Sequence, residues 1–149
     1  MRAGGRNSAA GDWRGASGAG LSYTLCVFVI AFAVGAIRVT LVAPRLGTLL
    51  AVVLEAPVVL AASWVVSRWC TRRFNVGGEW RARVLMGAVA FSALMLLELS
   101  VAVVGFGETL DRYFSQLATT PGVVGLAMQV CFAAIPWVQS RSRTGRDSG

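Results

Sequence analysis

Four residues of this chain lie inside long apolar runs although their chemistry favours water: Arg38, Glu55, Glu98 and Gln129. An ionised carboxylate in hydrocarbon costs at least about 2.5–3.5 kcal/mol, so it pairs, takes up a proton or faces a polar interior. Two carboxylates at one depth, with a guanidinium and an amide in reach, suit two kinds of work. They can share or relay a proton, or hold a cation, with Arg38 tuning their acidity. Alternatively, Arg38 and one glutamate can clamp neighbouring helices in register. Both readings place Glu55 and Glu98 toward a protein interior and away from lipid.

The elements that would position them follow from composition. Of the 149 residues 56% are hydrophobic and only 14% are charged, where an ordinary soluble protein carries about a quarter. A soluble domain this short has too little interior for so much apolar side chain. The apolar residues also fall in runs close to the roughly 20 residues that cross a bilayer. An all-α integral membrane protein is expected, an antiparallel four-helix bundle with spans over about 21–42, 48–67, 84–106 and 121–138. The flanks, 1–20 and 139–149, are polar or rich in Gly, Ala and Ser, and read as disordered tails. The run after the N-terminal tail is too long for a signal h-region and lacks a small-residue cleavage site, so it reads as retained.

Depth arithmetic joins the spans to the polar residues. At ~1.5 Å per residue, Glu55, Glu98 and Gln129 lie on the order of 12 Å below the ends of their spans facing away from the tails. Arg38 is expected nearer that boundary, within reach of both headgroups and carboxylates. Pro57, two residues after Glu55, is placed to bend the second helix beside this layer. Pro44, Arg45 and Gly47 read as a short turn joining the first two spans, because proline disfavours helix in the residue before it. Ala31 and Gly35, Ala88 and Ser92, and Gly122 and Gly125 are the candidate surfaces for close helix approach.

Orientation comes from the arginines, which supply all 14 basic residues. Arg2, Arg6, Arg14, Arg68, Arg72, Arg73, Arg81, Arg83, Arg141, Arg143 and Arg146 fall on the side of the termini, and Arg38, Arg45 and Arg112 on the other. The positive-inside rule therefore expects both termini in the cytoplasm. Trp64, Trp69, Trp80 and Trp137 cluster at the same side, where indole rings favour headgroups. Tyr113 and Phe114 fall in the opposite loop, expected as a short interfacial helix acting as a connector.

Several chemistries are excluded or disfavoured. The chain has no histidine, which removes histidine-ligated haem, the usual membrane metalloprotease motif and every serine–histidine arrangement. Cys26, Cys70 and Cys131 show no CxxC spacing and read as small packing residues. No metal site, cofactor or catalytic residue is expected. The net charge of +7 is accounted for by topology, so the expected partners are the bilayer and a second copy or another membrane protein, with no nucleic acid.

From Gly35 to Pro57 the sequence reads G-x-x-R-x-x-x-x-x-P-R-x-G, then E-x-P, followed by Ala61-Ala62-Ser63-Trp64. This resembles a group of small, uncharacterised four-span inner-membrane proteins of Gram-negative bacteria. The resemblance covers the first two spans. It implies a bacterial four-helix inner-membrane protein without an attached activity, and a motif of Arg38, Arg45, Glu55 and Pro57 about the first outer loop. Small multidrug-resistance exporters fit less well, because their essential glutamate is in the first span, which here has none. Quinone-linked disulfide-forming proteins need cysteine pairs, and phospholipid synthases need aspartates at helical spacing. The functional expectation is a non-enzymatic scaffold, assembly partner or accessory subunit. The alternative is a small proton- or cation-coupled transporter using Glu55 and Glu98, and the least supported reading is a lipid-acting enzyme using Arg38, Arg45 and Glu55.

Overall fold

The computed structural model describes residues 5–76 and 79–144, with side chains over 13–76 and 79–141. Helix α1 (Gly5–Ile37) passes into a π turn (Arg38–Val42) and a single α turn, α2 (Ala43–Leu46). Helix α3 (Thr48–Arg73) returns, α4 (Trp80–Ser100) runs out again and ends in a second π turn (Val101–Gly105), α5 (Leu110–Leu117) is short, and α6 (Thr120–Thr144) closes the bundle. Each long helix packs on two neighbours in the circular order α1, α3, α6, α4. Among the described residues four stretches are long and apolar enough to cross a membrane: Trp13–Leu46, Thr48–Arg73, Trp80–Gly105 and Thr120–Arg141. Large apolar side chains such as Leu25, Val29, Leu54, Val65 and Leu96 point outward, as lipid-facing residues of a multi-pass membrane protein do.

The tails depart from expectation. Residues 5–20 are helical, and Ala16 and Ala19 are fully buried. The Gly/Ala/Ser composition that resembles a disordered segment is here a thin helix face. A Cβ on Gly15 would lie 3.1 Å from the Phe74 carbonyl oxygen, and one on Gly18 would lie 3.3 Å from the Phe74 ring. Small residues let α1 lie directly on the end of α3, and that contact supplies the burial which local composition lacks. At the other terminus α6 continues through Gln139 to Thr144, and Gln139 and Ser140 are buried. Residues 1–4 and 145–149 of the expected tails, with Arg2 and Arg146, lie outside the described residues, as does the Gly77–Gly78 turn.

The half of the bundle nearest the termini is tightly joined. Its core is Ala16, Ala19, Tyr23, Val27, Cys70, Val76, Met86, Ala90, Leu94 and Phe132. Tyr23 stacks on Phe132 with ring centroids 4.3 Å apart, and its hydroxyl donates to the Phe132 carbonyl at 3.0 Å, tying α1 to α6 across the bundle. Thr24 donates within 3.0 Å of both its own helix's Gly20 carbonyl and the Ala90 carbonyl of α4. Gln139 accepts from Ser67 at 3.1 Å and donates to the Trp64 carbonyl at 2.8 Å, joining α6 to α3. Gln139→Ala strands the Ser67 hydroxyl and the Trp64 carbonyl; a loss of about 1–2 kcal/mol is expected, measurable as earlier unfolding of the detergent-solubilised protein in SDS.

The packing register on α4 also differs from the sequence expectation. Ala88 and Ser92 are exposed, while Met86, Gly87, Ala90 and Leu94 face inward. A Cβ on Gly87 would sit 2.1 Å from the Ala133 carbonyl oxygen, so α4 and α6 touch backbone to backbone at this point.

Candidate functional site

Beyond the Tyr23–Phe132 stack, toward the end away from the termini, the bundle opens into a cavity of about 830 Å³. Its walls are largely apolar, with Phe28 and Phe32 from α1, Leu94, Val101 and Phe106 from α4 and the segment after it, and Phe132 from α6. Four of the small residues expected at helix contacts, Ala31, Gly35, Gly122 and Gly125, line this space. Gly125 has no heavy atom within 4 Å of where a Cβ would stand. Smallness there makes room. Gly122 also abuts the end of α5, where a Cβ would strike the Gln116 carbonyl oxygen and Leu117.

All four residues of the sequence-derived polar layer, Arg38, Glu55, Glu98 and Gln129, line the cavity. They form two separate pairs. Arg38 Nε lies 2.6 Å from Glu55 Oε2, an ion pair by proximity without a well-directed hydrogen bond, linking α1 to α3. Gln129 donates from Nε2 to Glu98 Oε2 at 2.5 Å, linking α6 to α4. Glu98 has no cationic partner among the described residues. The Gln129 amide is oriented by its donation to Glu98, which leaves its buried Oε1 without a donor.

Local backbone explains why Arg38 meets Glu55 at the same depth and not above it. The helix does not stop before Pro44: Ala43 keeps helical angles of φ −62° and ψ −37°. Proline lacks an N–H, and its ring crowds the carbonyl four residues back. The preceding π turn relieves that clash by widening the helix, with Ala43 N–H donating to the Arg38 carbonyl. The helix then runs on to Leu46, which sets Arg38 eight residues (38 to 46) below its end. Gly47, at φ +80° and ψ 158°, makes the reversal into α3, a conformation that a side chain would strain. Pro44, Arg45 and Gly47 are exposed and lie outside the cavity lining, and Pro57 is exposed on α3 two residues beyond Glu55.

Helix α5 contributes what the sequence did not single out as part of this site. Thr109 caps it, its hydroxyl accepting from Arg112 N–H at 3.4 Å, and Asp111 in the first turn suits the positive end of the helix dipole. Its amphipathic turn carries Tyr113 into the cavity, where the residue is 8% exposed and its hydroxyl has no partner. Burial pushes the Tyr113 phenol above its ordinary pKa, and the nearby Glu98 charge adds to the shift. At the rim, Gln116 donates to Glu108 at 3.1 Å, and both line the opening. The charged lining is therefore Glu55, Glu98 and Glu108 against Arg38, three carboxylates to one guanidinium.

The three cysteines are free, with Cys70 buried, Cys26 half-buried and Cys131 exposed. Among the described residues no three His, Cys, Asp or Glu side chains gather as metal ligands would. No protein-family model, curated protein or solved structure matches this chain.

Proposed function

We propose that this chain is a multi-pass protein of the bacterial inner (plasma) membrane, with both termini cytoplasmic, whose cavity on the outer side binds a cationic amphiphile. In this reading it acts as a small carrier or ligand-binding subunit and carries out no covalent chemistry. The observation that supports it most is the reversed charge of the cavity. In a chain of net charge +7, the charged cavity lining comprises three carboxylates and one arginine. A mostly apolar wall with a few convergent polar groups is the usual make-up of a ligand site of this volume.

The two pairs divide the labour. Arg38–Glu55 is a neutral unit that fixes α1 against α3, whereas Glu98, without a cationic partner among the described residues, is the group that meets a ligand cation. The distribution of arginines supports the orientation, and the resemblance over the first two spans supports the inner membrane. The cavity and its polar groups favour this reading over a purely scaffolding role.

The test is charge selectivity. The purified chain in zwitterionic lipid nanodiscs is titrated with dodecyl chains bearing an ammonium, a hydroxyl or a carboxylate, against empty nanodiscs as baseline. Ammonium-headed ligands are expected to bind at least about tenfold more tightly than the neutral or anionic ones, and Glu98→Gln is expected to erase most of that preference. Equal binding of all three head groups, or retained selectivity in Glu98→Gln, rules the reading out.

A further inference from the structure

A cation in this cavity meets the hydrogen-bonding groups around Glu98. This inference rests on the cationic-ligand reading above. Near Glu98 two oxygens able to accept a hydrogen bond are without a donor, Gln129 Oε1 and the Tyr113 hydroxyl, while the unpartnered Arg38 Nε lies beside Glu55. Glu98 receives its one side-chain hydrogen bond from Gln129. Gln129 Oε1 is buried and receives none, and Tyr113, nine-tenths buried, places an unpartnered hydroxyl in the same cavity. A buried acceptor without a donor costs about 1–3 kcal/mol, so a ligand that supplies donors relieves a penalty already present in the empty protein. A carboxylate, an amide oxygen and a phenolic oxygen together match a head group with two or three N–H bonds.

We infer that the ligand is an amphiphile with a primary ammonium head, its N–H groups directed to Glu98, Gln129 Oε1 and the Tyr113 hydroxyl, and its hydrocarbon along the phenylalanine wall. Such an amine has a pKa near that of a lysine side chain, about 10.4, and is charged at neutral pH. A quaternary ammonium brings the same charge and tail but no donor. Its recognition relies on aromatic faces surrounding the charge, and Phe28, Phe32, Phe106 and Phe132 line the same space. The two ligand types therefore make opposite predictions for one site. The unsatisfied acceptors favour the primary ammonium, because a cation lacking N–H groups leaves them buried and dry.

The experiment compares dodecylammonium with dodecyltrimethylammonium on the full chain in zwitterionic nanodiscs, by calorimetric titration against empty nanodiscs. The expected result is at least about tenfold tighter binding of the primary ammonium. Tyr113→Phe, which removes only the hydroxyl, is expected to weaken the primary ammonium about threefold or more and to leave the quaternary one unchanged. If the quaternary ammonium binds as tightly or more tightly, the donor-count inference is overturned while the cationic-ligand reading stands. If neither exceeds empty nanodiscs, both fail. A primary-ammonium preference that Tyr113→Phe does not alter overturns the assignment of the head group to this cluster. The wild-type ratio and the Tyr113→Phe shift are read without any variant at Glu98, so a folding defect there does not block the test.

Discussion

Gly87→Ala is expected to destabilise the bundle by about 3 kcal/mol, although it adds a single methyl group to a helix that favours alanine over glycine. The reason is backbone contact. The new Cβ would stand 2.1 Å from the Ala133 carbonyl oxygen, where carbon and oxygen ordinarily approach no closer than about 3.3 Å. A flexible side chain would swing aside, but a helical carbonyl cannot, so α4 and α6 must move apart by roughly 1 Å. That separation disturbs the buried residues beside the contact, Met86 and Ala90 on α4 and Phe132 on α6. Without a hydrophobic drive between helices in lipid, such close contacts carry much of the association energy. The adjacent control is Ala88→Val, at an exposed position, expected to shift stability by no more than about 0.5 kcal/mol. SDS-induced unfolding of the two purified variants gives the answer. A silent Gly87→Ala with a damaging Ala88→Val means that α4 is rotated relative to the arrangement described.

The second large effect concerns the Arg38–Glu55 pair. Glu55→Gln leaves a guanidinium, and Arg38→Gln leaves a carboxylate, without its counter-charge among apolar neighbours. Each single change is expected to cost about 3 kcal/mol, since removing one partner of a sequestered pair is worse than removing both. The Arg38→Gln/Glu55→Gln double variant is therefore expected to recover most of the lost stability and membrane abundance. Recovery identifies the pair as a helix clamp, in line with its proximity of 2.6 Å and the modest side-chain exposures of 25% and 13%. Glu98→Gln is expected to fold normally, because two amides at positions 98 and 129 still bond to each other. Normal accumulation of both Arg38→Gln and Glu55→Gln would remove the clamp from the account of this fold.

The contrast between these residues shows what was legible in the chain itself. Apolar runs of spanning length determined four long helices, because the bilayer constraint acts on each segment separately and hydrophobicity sums along it. The depth of Glu55, Glu98 and Gln129 was equally legible, because helical rise turns sequence position into distance. Azimuth was another matter. Ala88 and Gly87 are neighbours of nearly the same composition, and only the crossing of α4 over α6 decides which of them meets a backbone. The two π turns, each adding an extra residue to a turn, shift the faces beyond them and leave no mark on a hydrophobic profile.

Partnership was decided at the tertiary level for the same reason. The sequence put two carboxylates, an arginine and an amide in one layer, and the order of helices around the bundle sorted them into Arg38 with Glu55 and Glu98 with Gln129. Tyr113 reads as an interfacial aromatic in a loop, and becomes a cavity residue only because α5 folds back beside the start of α6, against Gly122. The helical residues 13–20 and 139–144 follow the same rule. Their composition is that of a polar or small-residue tail, and their order comes from contacts with Phe74, Ser67 and Trp64, far away in sequence. Segment-wise burial in lipid is a property of local sequence, and it determined the number of helices. Which faces meet, and what space they leave between them, depends on contacts between distant segments, so only the assembled bundle decided the cavity and the pairing of Glu98 with Gln129 and not with Arg38.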